Sequence, residues 1–357
     1  MTDVELMLYG LVVGAIFGFV LQRGRFCMNS AFRDILLMKE YTLLKAVALA
    51  IVVQMIGFHL MATMGWIDLN PKPFLWGAMI TGGFIFGIGM VLAAGCASGT
   101  TYRVGEGMMG SFVALLGLMI GTVITSVGAL AWLVSDLNSG IFKAITTGDL
   151  GVDPGPLLKE GSTSLTLANI FGLDPWIFVA IIAVVILAVL VWKRGGEETK
   201  VEGTLSERIF KKGWNWWVTG IAIGIIGMIT FWTFKNYALG ISGGWFGFLN
   251  ALITGDLPRL SSGMLNWFTF LVIGVVVGAA IAAIIAGEFK LRAPDAKRLL
   301  QQFIGGLLMG IGAIIGTACN IGHILSGIPQ LSLGSMLGGA FIILGCWVTA
   351  YIMFMRG

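Results

Sequence analysis

Nine stretches of this chain are long and apolar enough to cross a bilayer, near 5–22, 42–64, 75–94, 108–134, 176–192, 214–234, 264–287, 301–318 and 333–355. Each approaches the roughly 20 apolar residues that one helical crossing needs. Hydrocarbon offers the backbone no hydrogen-bond partner, so segments of this length are expected to be helices. The expected fold class is an all-α polytopic membrane protein with about nine transmembrane helices. Only 11% of the residues are charged, less than half the roughly 25% of a soluble domain. A formal net charge of +4 is too small and too dispersed for a phosphate footprint, which excludes nucleic acid as a partner. Asp3 and Glu5 precede the first stretch without any basic residue, so that stretch is expected to stay as an anchor rather than leave as a signal peptide.

Shorter segments near 26–40, 97–107, 137–147, 237–255 and 320–331 are rich in Gly, Ser, Thr, Asn and Pro. They read as broken or re-entrant helices, which are tolerated at membrane depth where protein or a water-filled cavity surrounds them. Half of the residues in 193–212 are charged, which marks a linker. The expected divisions are a first repeat half at 1–134, a polar loop and connecting helix at 135–192, the linker at 193–212 and a second half at 213–357. With nine crossings, most of the 22 Lys and Arg fall on the linker's side. The positive-inside rule then predicts a cytoplasmic linker and C-terminus and an external N-terminus. Arg23, Arg25 and Arg33 read as orientation signals of this kind. Arg103 and Glu106 flank one of the broken helices, where ionisable residues tend to pair, so an ion pair between them is expected.

A repeat emerges when residues 82–99 are laid over 305–322. Gly82, Gly83, Gly87, Gly89, Cys96 and Gly99 fall on Gly305, Gly306, Gly310, Gly312, Cys319 and Gly322, an offset of 223. After a one-residue slip, Gly121 meets Gly345 and Thr125 meets Thr349. The shorter pattern Gly-x3-Gly-x8-Cys occurs at Gly14/Gly18/Cys27, Gly83/Gly87/Cys96 and Gly306/Gly310/Cys319. A fourth copy, Gly220/Gly224, ends at Thr233. An unpaired fifth helix between two four-helix halves makes the second half enter from the opposite side, an inverted pseudo-symmetric repeat. Cys27, Cys96 and Cys319 are then expected near the pseudo-symmetry axis, and Cys346 lies outside the pattern. The glycine pairs themselves read as helix-packing surfaces.

The four cysteines lie far apart, with no CxxC and no metal-ligand spacing, so neither a metal nor a cofactor is expected. Small or polar residues follow each repeated cysteine: Met28-Asn29-Ser30, Ala97-Ser98-Gly99-Thr100 and Asn320-Ile321-Gly322-His323. Such sequences can start a short helix, whose free N–H groups and positive dipole end favour an anion. A thiol adds a weak, polarisable S–H donor. Together they suit an oxyanion that also carries a soft sulfur atom, and thiosulfate is such an ion. The supporting candidates are Ser98, Gly99, Thr100, Arg103, Glu106, Asn320, Gly322 and His323. A rival reading is a membrane sulfurtransferase, in which a thiolate attacks the sulfane sulfur of thiosulfate, expels sulfite and is left as a persulfide.

The segments RGRFCMNSAFRD (23–34), GCASGTTYRVGEG (95–107) and ACNIGH (318–323) resemble the three signature regions of the YeeE/YedE sulfur-transport family, most closely its thiosulfate-transporting members. The resemblance covers essentially the whole chain. It implies an inner-membrane permease rather than an enzyme, with nine spanning helices and short broken ones. It further implies that thiosulfate passes along Cys27, Cys96 and Cys319 by S–H···S contacts, without net chemistry. Family members often work with a small cytoplasmic sulfur carrier of the TusA-like kind. Parts of the family are associated with selenium metabolism, so another sulfur or selenium species stays open as the cargo.

Overall fold

The computed structural model describes residues 3–139, 143–153, 155, 157–159, 161–192, 204–233, 239–255 and 264–356. Most of the expected linker, 193–203, lies outside the described residues. In chain order the helices are α1 (Asp3–Arg23), α2 (Met28–Met38), α3 (Thr42–Thr63), α4 (Trp76–Leu92), α5 (Ala97–Gly105), α6 (Met109–Ser126) and α7 (Ala131–Leu137). There follow α8 (Thr147–Leu150), α9 (Leu167–Phe171), α10 (Pro175–Trp192), α11 (Leu205–Phe210), α12 (Trp216–Thr233), α13 (Ser242–Thr254), α14 (Met264–Ile285) and α15 (Ala296–Ile315). A π-helix (Ile321–Gly327), one 3₁₀ turn (Ile328–Gln330) and α16 (Leu333–Phe354) complete the chain. Among the described residues, nine segments are long and apolar enough to cross a membrane, and only isolated bridges replace any sheet.

Four of the five expected broken segments are helical, as α2, α5, α13 and the π-helix; the fifth, 137–147, holds only the last residue of α7 and the first of α8, and its residues 140–142 lie outside the described residues. The stretch 108–134 is not one continuous crossing. It breaks after Ser126, and Gly128 folds back onto Ile124 before α7 begins.

The largest helix pairings follow the repeat. α1 runs along α14 and α12 along α3; α6 runs along α15 and α16 along α4; α4 crosses α15. Exchanging α1 with α12, α3 with α14, α4 with α15 and α6 with α16 maps this set onto itself. Individual glycines obey the same exchange. Gly83 meets the carbonyl of Gly338 and its mate Gly306 meets that of Ala114. Gly87 meets Ile342 and Gly310 meets Leu118, while Gly121 meets Leu307 and Gly345 meets Phe84. A side-chain carbon at any of these positions would overlap a backbone carbonyl, so the glycines set how closely the helices approach.

α4 and α15 lie antiparallel across the centre. Gly89 packs on Gly305 and Gly82 on Gly312, so each helix stops beside the interior of the other. Gly305, midway along α15, sits against Leu92 and Ala93 where α4 ends. The two chain breaks therefore point towards opposite faces, and α5 and the π-helix complete the two crossings from opposite directions. α10 has no mate. It touches α3 and α9, and only Val179, Ala183 and Leu190 along it are buried, leaving most of its apolar surface to lipid.

Candidate functional site

Three helices end the same way. At Arg25 (φ 45°), Ala94 (φ 57°) and Thr317 (φ 66°) the backbone turns left-handed, and each residue stands two positions before one of the repeated cysteines. This conformation closes a helix by returning amide hydrogens to its last carbonyls. Phe26 N–H bonds Leu21 O at 2.9 Å and Gly95 N–H bonds Met90 O at 3.0 Å, while Thr317 N–H bonds Ile314 O at 3.2 Å. Glycine is the usual occupant; a β-branched threonine there is strained. The turn re-aims the chain so that the cysteine begins a new, short helix.

Cys27 is extended (φ −141°, ψ 119°) at the N-cap of α2. Cys96 is extended (φ −78°, ψ 174°) at the N-cap of α5 and accepts the Gly99 N–H on its sulfur at 3.3 Å. The two thiols lie 3.8 Å apart, within S–H···S reach, and both are at most 1% exposed. Two helix N-termini thus converge on one pair of sulfurs, and the positive ends of their dipoles favour negative charge there. The Ser98 hydroxyl lies 3.4 Å from the Cys96 sulfur. Thr100 donates back to Cys96 O at 2.5 Å, which ties its hydroxyl to the backbone. At Gly99, a Cβ would stand 2.7 Å from the Cys27 sulfur and 3.3 Å from that of Cys96, so the hydrogen side chain is what leaves room for both thiols.

Cys319 is also buried and belongs to the same apolar cluster. Its carbonyl accepts from His323 N–H at 3.0 Å. Its neighbour Asn320 links this loop to the first, donating Nδ2 to Met28 Sδ at 2.9 Å. His323 Nε2 lies 2.8 Å from Gly316 O, which locks the ring beneath Gly338. Gly322 lies one residue inside the π-helix. Among the described residues, buried Asn29 Nδ2, Asn320 Oδ1 and His323 Nδ1 find no partner. Such groups are costly unless water or cargo meets them, and all three flank the cysteine loops.

One expectation about charge is corrected, and a second residue gains a partner. Arg103 does not pair with Glu106: its guanidinium donates to Ala94 O at 2.6 Å, and Glu106 instead accepts from Gln22 Nε2 at 3.1 Å. The backbone turn at Ala94 presents a carbonyl to the arginine, and that carbonyl takes the place expected for the carboxylate. Arg23 sits in a buried ion-pair network. It is 1% exposed, bonded to Glu288 Oε2 at 2.5 Å and to Gln22 Oε1 at 2.6 Å, and Arg25 reaches the other Glu288 oxygen at 3.0 Å. Burial alone would raise the Glu288 carboxyl, but Gln22, Arg23 and Arg25 hold it below the usual carboxylate range. Glu106 is raised by burial despite Gln22 and Arg103. Cys346, outside the Gly-x3-Gly-x8-Cys pattern, nonetheless touches the first cysteine loop, since its sulfur lies 3.7 Å from Asn29 Oδ1.

On the face that carries Glu288, a cavity of about 600 Å³ opens beneath Ala94, lined by Arg33, Arg103, Arg292 and Arg298. These residues come from separate stretches of sequence, which is why no linear pattern announces the cavity.

The "Sulphur transport" family model matches residues 23–348. A thiosulfate transporter, TsuA, from Spirochaeta thermophila is 41% identical over 352 residues, covering 97% of this chain and 99% of that protein. Its Escherichia coli namesake is 35% identical over 365 residues, covering 99% and 96%. A probable transporter, YedE, of Escherichia coli is 34% identical over 116 residues, covering 32% of this chain and 28% of its own. The chain belongs to the sulphur transport family of multi-pass membrane transporters.

Proposed function

We propose that this member of the sulphur transport family takes up thiosulfate, and that the ion passes the thiols of Cys27, Cys96 and Cys319 in contact, without forming a covalent bond. The observation that carries the reading is the 3.8 Å pair of buried thiols, each at the N-cap of its own short helix. Thiosulfate has two chemically distinct ends. The sulfonate oxygens suit backbone N–H groups and the Ser98 hydroxyl, whereas the terminal sulfur is a large, soft acceptor matched to S–H donors. Sulfate offers no such sulfur, so a thiol pair gives it little. Two helix termini and two thiols, with no fixed cation between them among the described residues, hold a dianion weakly enough for it to leave, as conduction requires.

Cys319, Asn320 and His323 serve the opposite half of the pathway, with Arg103 and the arginine-lined cavity at the exit. Thr100 and Gly322 shape the two loops, and Glu106 helps to fix the end of α5 through Gln22. The face with Glu288 is the cytoplasmic side of the inner membrane, with the C-terminus inside and the N-terminus outside, as the distribution of basic residues favours. A small TusA-like sulfur carrier at that face is the partner the family resemblance implies. The relatives named as thiosulfate transporters support the choice of cargo.

The test is labelled-thiosulfate uptake into cells lacking their own sulfate and thiosulfate importers, with Cys27→Ser, Cys96→Ser and Cys319→Ser at matched expression. Uptake by the wild type, lost in all three variants, is the expected result. Normal uptake in all three reduces the cysteines to filler, and wild-type uptake of a different sulfur or selenium species replaces the cargo. A cysteine heavier by one sulfur atom after thiosulfate exposure overturns the non-covalent reading in favour of a persulfide.

A further inference from the structure

The two left-handed turns that the repeat relates, at Ala94 and Thr317, share a feature that the repeat itself does not supply. The offset of 223 takes Ala94 to Thr317 and Cys96 to Cys319. The Ala94 carbonyl accepts from Arg103 at 2.6 Å, and the Thr317 carbonyl accepts from Lys72 Nζ at 2.9 Å. These cations are not mates. The same offset takes Arg103 to Ser326, which donates to Leu239 O, and Lys72 to Asp295, which lies beside Arg298. Two unrelated positions in the sequence have each placed a cation on the equivalent carbonyl, two residues ahead of the equivalent cysteine.

A cation at a helix C-terminus is favourable in itself, and that would suffice if Lys72 were otherwise satisfied. It is not fully engaged. An ammonium has three donors, and one is spent on Thr317. Among the described residues no carboxylate lies within ion-pair distance of Lys72. Among those residues the buried Thr317 hydroxyl beside it also finds no partner. The segment carrying Lys72 is also held in place: Asn70 N–H bonds Gln330 Oε1 at 2.9 Å and Ser332 Oγ lies 3.5 Å from Lys72 O. A fixed, half-buried ammonium with spare donors, next to an unfilled hydroxyl and the Cys319 loop, is a seat for an anion.

We propose that Lys72 is the receiving cation of the entry half, holding a sulfur oxyanion with the Thr317 hydroxyl before it reaches Cys319, as Arg103 holds it beyond Cys96 at the exit. The proposal rests on the functional reading above and adds to it a residue drawn from outside the cysteine motifs. Replacing the lysine removes a charge-assisted hydrogen bond to the ion, and such a loss weakens binding about tenfold or more.

The experiment combines two readouts on the whole protein in liposomes. In thiosulfate uptake, Lys72→Met is expected to raise KM about tenfold with a smaller effect on kcat, Lys72→Arg to retain most affinity, and Lys143→Met to match the wild type. In parallel, an amine-reactive ester is applied to the wild type and to Cys319→Ser. Thiosulfate is expected to slow modification of Lys72, read by peptide mass, in both. Wild-type KM in Lys72→Met, or labelling of Lys72 that thiosulfate leaves unchanged, overturns the proposal, and the labelling stands even where Lys72→Met fails to fold. Absence of wild-type thiosulfate uptake would defeat the functional reading instead, and protection of Lys72 by thiosulfate would still decide this one.

Discussion

Replacing Gly99 by alanine separates the geometry of the thiol pair from the stability of the fold. A methyl there stands 2.7 Å from the Cys27 sulfur and 3.3 Å from the Cys96 sulfur, whereas favourable contact needs about 3.5–4.0 Å. The Cys27 thiol must therefore retreat by about 1 Å, which opens the 3.8 Å sulfur contact. Two energetic terms oppose each other. Alanine in the α5 helix gains roughly 0.5–1 kcal/mol over glycine, and forcing a methyl into a packed interior costs about 1–3 kcal/mol. The net loss of stability is about 0–2.5 kcal/mol, small enough for the variant to fold. Transport is affected differently, because misplacing a positioned group by about 1 Å can cost on the order of 100-fold where an ion must meet fixed partners. The assay pairs the thermal midpoint in detergent with thiosulfate uptake in liposomes. Gly243→Ala serves as the reference, since nothing among the described residues lies within 4 Å of its new methyl. A folded Gly99→Ala protein that transports within about twofold of wild type would falsify the claim that the close pair of thiols carries the ion.

Thr317→Gly removes a β-branched side chain from a left-handed conformation, so the thermal midpoint should rise by the equivalent of about 1 kcal/mol. A fall in the midpoint instead would mean that the threonine's packing outweighs its strain. Glu288→Gln strands the buried Arg23 guanidinium. With Glu288 about a third exposed, the expected loss is about 2 kcal/mol in chemical denaturation, below the 3–5 kcal/mol of a fully buried pair. Because Glu288 is held below the usual carboxylate value, its contribution is complete above that value and disappears as pH falls through the lowered one. The stability gap between wild type and Glu288→Gln should therefore close in acid, and a gap that widens there would contradict the assignment.

The sequence makes the spans legible because lipid demands long apolar runs, and it exposes the breaks because Gly, Ser, Thr and Asn interrupt them. The repeated glycines announce close helix approach, yet a glycine says nothing about which helix approaches. That α1 meets α14 and α12 meets α3 follows only from the three-dimensional exchange of mates. The left-handed turns were hidden for a related reason: Arg25, Ala94 and Thr317 are not the glycines that such a turn prefers. Their common distance from the cysteines was the one available signal. Lys72, Met28 and the link from Cys346 to Asn29 were invisible because each acts across a long separation in sequence, with no periodicity to betray it.

The exchange of partners between halves also bears on how the chain is made. α1 emerges about 260 residues before α14, the helix whose backbone it fits, and α3 likewise waits for α12. Neither half can bury the glycine-lined faces of α1, α3 and α4, or of their mates α12, α14 and α15, by itself as it leaves the ribosome. Early helices must sit in lipid, or against the insertion machinery, with those faces unfilled until their mates arrive. Such distant pairings slow assembly, and they make it all-or-none. A truncated product would expose bare helix seams, a mark by which membrane quality control could recognise it.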